Sequence, residues 1–184
     1  GSGNFYTGGA ASYEETVINT YGPNPDGGDS SVVVSTEKTS SATNMVRMGE
    51  GKLSLTKVGS NTQTFTGLVN LDAVAVQGGS LNLKGESTSM NSLSMSSGTS
   101  MTTGALTLGT ATLDGAAMTV NGNADIDAIT LSNGASLTSS YDVALGAVVL
   151  TGSGTSARLT GANTDIDALT LGAGTTLTTS AAIT

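Results

Sequence analysis

The sequence predicts an all-β protein, a right-handed parallel β-helix (β-solenoid) with coils of about 19 residues. Three observations predict it: a spacing that recurs along the chain, short runs of alternating apolar and polar residues, and a composition rich in small residues. The 184 residues include 26 glycines, but only four tyrosines, two phenylalanines and no tryptophan. Aromatic side chains supply much of the buried area of ordinary globular cores, so a thin, repetitive core is expected.

Two columns of apolar residues recur from residue 76 onward, with one glycine between them in every copy. The steps along each column are 17 to 22 residues over six copies, and such a period is typical of solenoids. The first column is Val76, Met95, Leu113, Leu131, Leu150, Leu171; the second is Leu81, Met101, Met118, Leu137, Leu159, Leu177; the glycines are Gly79, Gly98, Gly115, Gly134, Gly154, Gly174. Glycine suits the corner of a coil because it adopts positive φ at no steric cost.

Between residues 45 and 83, apolar and polar residues alternate in short runs, which predicts half-buried strands separated by turns. Stacking the units in register would place each strand about 4.8 Å from its equivalent. Leucine and methionine would then lie inside, with Met95, Met101 and Met118 filling gaps in the core. A leucine-rich repeat lacks support because its Leu-x-x-Leu-x-Leu pattern is missing. A β-sandwich would not need columns that stay in phase.

Residues 1–44 differ from the rest and hold both prolines, Pro23 and Pro25. We predict an irregular N-terminal segment, or the end of a preceding repeat, that is a candidate cap for the array. Residues 45–184 are predicted to be the coils. The final stretch, TTLTTSAAIT, stops inside a repeat, so we expect a segment of a longer protein, truncated at its C-terminus. An open strand edge there would favour end-to-end self-association.

Composition also limits the function. With 14 acidic against 6 basic residues the formal net charge is −8, and such a surface repels nucleic acids and anionic membranes. No apolar run approaches the roughly 18 residues of a membrane-spanning helix, so direct membrane insertion by this segment is not expected. The chain has no cysteine and no histidine, which excludes Ser-His-Asp and Cys-His sites.

Glycosidases on β-helices would need paired carboxylates with basic and aromatic groups in one groove. Beyond residue 86 the only basic residue is Arg158 and the only aromatic residue is Tyr141. We therefore predict that the chain is not an enzyme, and we assign no catalytic residue, cofactor or metal.

Four aromatic residues form the first candidate binding site: Phe5, Tyr6, Tyr13 and Tyr21. They would form an exposed patch for carbohydrate or a host protein. The alternative is a small hydrophobic plug over one end of the array, since stacked repeats need protected ends.

Two Asp-Ile-Asp motifs form the second candidate, with Asp125 and Asp127 in one and Asp165 and Asp167 in the other. Residues i and i+2 of a strand point to one side, so each pair would present two carboxylates, a weak calcium hypothesis. The motifs are 40 residues apart, hence two coils and roughly 9.6 Å, too far to share one ion with oxygens at about 2.3–2.6 Å. The alternative is solvated aspartates that discourage lateral aggregation.

Residues 45–83 resemble the autotransporter-associated β-strand repeat, also called the passenger-associated transport repeat. The matching pieces are Met45-Val46-Arg47, Gly49, Gly51-Lys52-Leu53-Ser54-Leu55, Asn61-Thr62, Phe65-Thr66-Gly67 and Gly78-Gly79-Ser80-Leu81-Asn82-Leu83. The departures are Arg47 for Lys, Lys52 for Thr, and two extra residues between Asn61 and Phe65. Asn4 to Gly9 is similar to the end of such a unit.

The resemblance implies the passenger β-helix of a bacterial surface-exposed or secreted protein, exported across the outer membrane through a β-barrel. It implies a structural stalk or scaffold that supports adhesion, with host or cell-surface glycans or proteins as partners. The alternative function is a binding module for carbohydrate or host protein that uses the N-terminal aromatic residues.

Overall fold

The computed structural model of this chain describes residues 53–184, and before them the backbone of residues 2–7, 30–36, 40–42 and 45–46. The described residues form strands and no helix. The strands are β1 Ser2–Thr7, β2 Ser30–Thr36, β3 Ser40–Ala42, β4 Met45–Val46, β5 Leu53–Val58, β6 Thr62–Phe65, β7 Val69–Val76, β8 Ser80–Leu83, β9 Thr88–Met95, β10 Ser100–Thr103, β11 Leu106–Asp114, β12 Ala117–Val120, β13 Ala124–Ser132, β14 Ser136–Ser139, β15 Val143–Leu150, β16 Ser156–Leu159, β17 Thr164–Leu171 and β18 Thr176–Thr179.

Long and short strands alternate along the chain and separate into two parallel sheets. The first sheet has ten strands in the order β1-β2-β5-β7-β9-β11-β13-β15-β17, with β4 beside β7; the second has eight, from β3 through the even-numbered strands β6 to β18. Every pairing is parallel and joins successive coils, as in β11 with β13 and β12 with β14. The predicted parallel β-helix is confirmed. Strands β1, β2 and β3 belong to the same two sheets, and the predicted boundary at residue 44 stays a prediction.

Each long strand bends near its middle, which the sequence did not reveal. In β11, Leu106 and Leu108 are buried, then Gly109 and Thr110 are not, and burial resumes at Ala111. Ladder pairing with β13 skips the same point, Gly109. A strand that changes its inward phase turns a corner there. Each regular coil therefore presents two inward stretches from the long strand and one from the short strand.

The strand register agrees with the predicted apolar columns at all positions but one. The first column is confirmed at every step, for example Leu113 beside Leu131 and Leu150 beside Leu171. The second column is wrong at one member, because Leu137 pairs with Ala157, and Ala157 pairs with Leu177. Leu159 lies two residues further along β16 and is also buried. Period-two geometry points both Ala157 and Leu159 inward, and the sequence alone favours Leu159 because its side chain is larger.

The six predicted corner glycines all have positive φ, from 59° at Gly115 to 81° at Gly134. At Gly79 a Cβ atom would lie 2.3 Å from the Asn61 carbonyl oxygen, so both conformation and space require glycine. Asn133 has φ 55° and, with Gly134, forms a turn that is closed by the Ala135 N–H donating to Ser132 O at 3.0 Å. Positive φ at both central residues is typical of a type I′ turn.

The inward residues form one continuous apolar core from Leu53 to Ile166. Met95, Met101 and Met118 are buried in it as predicted. The burial ends at the last coil: Leu150 is 0% exposed, whereas Leu171, the next member of its column, is 48% exposed. Residues of one column are thus covered by the coils on either side of them.

Candidate functional site

The two Asp-Ile-Asp motifs lie on the same outer surface of the first sheet. Asp125 and Asp127 project from β13, and Asp165 and Asp167 from β17, while the intervening Ile126 and Ile166 are buried. Between the pairs, β15 contributes only Ala144 and Gly146 at the equivalent positions. The small residues leave an open depression of about 220 Å³ flanked by four carboxylates.

This arrangement does not assemble a cation site from the described part of the chain. The register places the two Asp pairs two strands apart, hence roughly 9.6 Å along the array. Within residues 53–184, no group of three or more acidic, cysteine or histidine side chains is placed to hold a metal ion. The calcium hypothesis therefore has no set of ligands there.

The aspartates of the described coils are spaced so that no two occupy the same position on consecutive coils. Asp125 is followed by Ala144, and Asp127 by Gly146. Elsewhere an asparagine of the next coil donates to the carboxylate: Asn91 Nδ2 to Asp72 Oδ1 at 2.8 Å, Asn133 Nδ2 to Asp114 Oδ1 at 2.6 Å, and Asn163 Nδ2 to Asp142 Oδ2 at 2.7 Å. Like charges directly opposite each other destabilise a sheet, and this spacing avoids them.

The Asp142–Asn163 pair is the most closely held of the three. The backbone N–H of Asn163 also donates to Asp142 Oδ1 at 2.9 Å. These hydrogen bonds, from the side chain of Asn163 first and its backbone second, hold the pKa of Asp142 below its ordinary value. Hydrogen bonds to the ionised form favour it. The charged Asp142 is therefore hydrogen-bonded to Asn163 of the next coil.

The most unusual polar group is Lys57, which the sequence analysis missed. Its side chain is 0% exposed and stands beside Val76 in the first apolar column. The Nζ atom donates to Val58 O at 2.8 Å, Gly59 O at 2.9 Å and Gly78 O at 2.9 Å. A lysine ammonium has three donors, and here carbonyls from two successive corners take all of them.

Burial lowers the pKa of Lys57 from 10.5 to about 8, because desolvation disfavours a charged group. The three carbonyl oxygens act in the opposite sense and favour the ammonium. In the second sheet, the neighbouring inward residue Gln63 is likewise 0% exposed, and its Nε2 donates to Thr64 O at 3.0 Å. The alternation Leu53, Leu55, Lys57 could have revealed the inward lysine.

The aromatic candidates lie largely outside the described residues. Phe5 and Tyr6 lie on β1, where the backbone pairs with Val34 and Ser35 of β2. Their side chains, and the whole of Tyr13 and Tyr21, fall outside what the structure describes. The aromatic patch and the alternative hydrophobic plug both stay predictions.

No family model matches this chain, and neither a curated protein nor a solved structure matches it. Among the described residues, no helix has the length and apolar character needed to cross a membrane.

Proposed function

We propose that this chain is a structural stalk or scaffold segment of a bacterial surface-exposed or secreted, autotransporter-like protein. It holds other parts of that protein away from the cell and carries no catalytic site of its own. Adhesion to host or cell-surface glycans or proteins is the activity that such a stalk would support.

The observation that carries this proposal is the uninterrupted register of the two sheets. From β7 to β17, each long strand pairs with the equivalent strand of the next coil over nearly its whole length. The apolar core is equally continuous. Each coil of such an array contacts chiefly its neighbours, so length can change without loss of the fold. A rod whose length is adjustable suits a spacer.

The surface of the described coils also favours a spacer. Its carboxylates are separated by small residues or bonded to asparagines, an arrangement that supports stacking. The remaining outward positions of β10 and β14 are the serines and threonines Ser100, Thr102, Ser136 and Thr138. Charged and polar outer residues discourage lateral association of sheets.

The bacterial surface location is supported by the resemblance of residues 45–83 to the passenger-associated transport repeat. Stacked coils fold by nucleation at one place and propagation to neighbours. A chain of this kind can cross the outer membrane unfolded and gain its structure outside, with no energy source such as ATP.

The experiment is a length series. The chain is placed between an outer-membrane barrel and a reporter adhesin, as it stands and without one coil (residues 106–123) or two (residues 106–142). We expect all three versions to reach the cell surface, with adhesion to a recessed target falling as coils are removed. A matched variant, Thr130→Asp, keeps the length and should keep adhesion.

Loss of surface display on removal of a single coil would contradict the scaffold proposal. Adhesion that depends on Thr130 and not on length would contradict it as well.

The alternative binding module is tested separately with Tyr13→Ser and Tyr21→Ser. Lost glycan binding with an unchanged melting transition would favour the binding module. A lowered transition would favour the hydrophobic plug.

A further inference from the structure

The described coils contain two Asn-Gly pairs at corners, Asn121–Gly122 and Asn133–Gly134. The two pairs differ in their hydrogen bonds. Asn121–Gly122 lies between β12 and β13, and Asn133–Gly134 between β13 and β14. Both asparagines are exposed. An asparagine followed by glycine is chemically labile, because the small neighbour lets its own amide nitrogen approach the asparagine side chain.

At Asn133–Gly134 the reacting groups are held by hydrogen bonds. The Gly134 N–H donates to the hydroxyl oxygen of buried Thr155 at 2.9 Å, and Asn133 Nδ2 donates to Asp114 Oδ1 at 2.6 Å. The Ala135 N–H closes the turn on Ser132 O. An attack by the Gly134 nitrogen on the Asn133 side chain would have to break these bonds.

At Asn121–Gly122 these restraints are missing. The Asn121 backbone N–H donates to Thr103 O at 2.7 Å, which anchors the start of the corner. Among residues 53–184, none accepts a hydrogen bond from the Gly122 N–H, and none pairs with the Asn121 side chain. No hydrogen bond to residues 53–184 therefore has to break before the nucleophilic nitrogen bonds to the amide carbon.

We propose that Asn121 is a site of spontaneous deamidation, and that Asn133 is protected from it by its coil neighbours. The Gly122 nitrogen gives its proton to a solvent base and bonds to Cγ of Asn121. The bond from Cγ to the side-chain nitrogen breaks, and ammonia leaves after taking a proton from water. Water then opens the cyclic imide at either carbonyl, leaving aspartate or isoaspartate at position 121.

The product is compatible with the charge spacing of the array. The equivalent positions on the adjacent coils are Gly104 and Ser140, by extension of the registers of β10, β12 and β14, so a new carboxylate there faces no like charge. Isoaspartate lengthens the backbone by one atom at a crowded corner, where a Cβ on Gly122 would already lie 2.4 Å from the Ala105 nitrogen. The modification therefore disturbs this corner, which is flanked by the core residues Val120 and Ala124.

The test is peptide mapping by mass spectrometry after prolonged incubation of the folded chain at mildly alkaline pH. We expect position 121 to convert roughly tenfold faster than position 133 or more, because breaking the bonds of Asn133 and Gly134 costs free energy. In denaturant the two Asn-Gly pairs should convert at similar rates. Equal rates in the folded chain would overturn the proposal, as would a difference that persists in denaturant.

Two variants test the protection itself. Asp114→Ala removes the carboxylate that holds the exposed Asn133, and Thr155→Val removes the acceptor of the Gly134 N–H. Each should speed conversion at position 133 and leave position 121 unchanged. Unchanged rates at position 133 in a folded Asp114→Ala variant and a folded Thr155→Val variant would show that these bonds do not protect it. Should Thr155→Val fail to fold, the surface variant Asp114→Ala decides alone.

Discussion

The coil formed by β5 and β6 and the coil formed by β13 and β14 share one backbone plan but have different cores. Lys57 and Leu131 occupy one inward column, and Gln63 and Leu137 occupy the other. All four side chains are buried. At these two positions the middle of the array is apolar, whereas the earlier coil buries an ammonium and an amide.

The difference shows what this backbone requires of an inward residue. Lys57 is tolerated because two successive corners provide acceptors: the carbonyls of Val58 and Gly59 in its own coil and of Gly78 in the next. In the later coil the corner carbonyl of Ser132 already accepts from the Ala135 N–H at 3.0 Å. Most buried polar groups in proteins are hydrogen-bonded, and a carboxylate at position 131 would lie between Leu113 and Leu150, whose side chains have no donor to offer it.

The largest effect is therefore expected for Leu131→Asp. This change buries an unpaired carboxylate between Leu113 and Leu150, and we expect the free energy of unfolding to fall by about 4 kcal/mol or more. Chemical denaturation measures it. The matched control Thr130→Asp adds the same charge at an exposed position and should change stability by about 0.5 kcal/mol or less. Equal losses for the two variants would refute the assignment of inward and outward residues.

Lys57→Ala should have the next largest effect. It removes the group that donates to three carbonyl oxygens of partly buried residues, and an unpaired polar group costs roughly 1–3 kcal/mol when it is fully buried and less where water can enter. We expect a net loss of about 2–4 kcal/mol in denaturant unfolding. Lys84→Ala, at an exposed position, is the control and should be nearly neutral. A neutral Lys57→Ala would mean that the ammonium does not stabilise the corner.

The pH dependence of stability should also report Lys57. Its pKa is about 8 in the folded chain against an ordinary 10.5, so between these values unfolding takes up a proton. Uptake of a proton on unfolding makes stability rise with pH in that window. Subtracting the pH profile of Lys57→Met from that of the unchanged chain isolates this contribution. A difference that is flat, or that falls with rising pH, would contradict the lowered pKa.

The smallest effect concerns the Asp142–Asn163 contact at the surface. Asn163→Ala removes the side-chain hydrogen bond to Asp142, so the pKa of Asp142 should rise toward its ordinary value. Its contribution to stability, present at neutral pH and lost on acidification, should shrink accordingly. Titration of the carboxyl carbons by NMR measures the pKa. Asn123→Ala, which removes another exposed asparagine, should leave Asp142 unchanged.

The repeat itself could be predicted because the same residue types recur at the positions where the coil requires them. Gly79, Gly98 and Gly115 recur where the coil needs positive φ, and leucine or methionine recurs where the strand faces inward. The bend at Gly109 was not predictable from the period, since it changes which side faces inward without changing the spacing. Ala157 was missed because a small inward residue stood beside the larger Leu159.

The polar features were harder to predict than the fold. Lys57 follows the inward alternation of Leu53 and Leu55, but its burial depends on carbonyls of Gly59 and Gly78, which lie in two successive corners. The separation of the two Asp pairs followed from the period alone. Their neighbours Ala144 and Gly146, which leave the depression between them, became evident only from the register.

The central claim is that successive coils stack in register along one axis. The chain has no cysteine, so spin labels can be attached at introduced cysteines on the outward column of the second sheet. Pairing position 178 with positions 138, 119 and 102 separates the labels by two, three and four coils. We predict distances that increase by about 4.8 Å per coil, from roughly 10 to 19 Å. Distances that do not increase with the number of coils would contradict the stacked array.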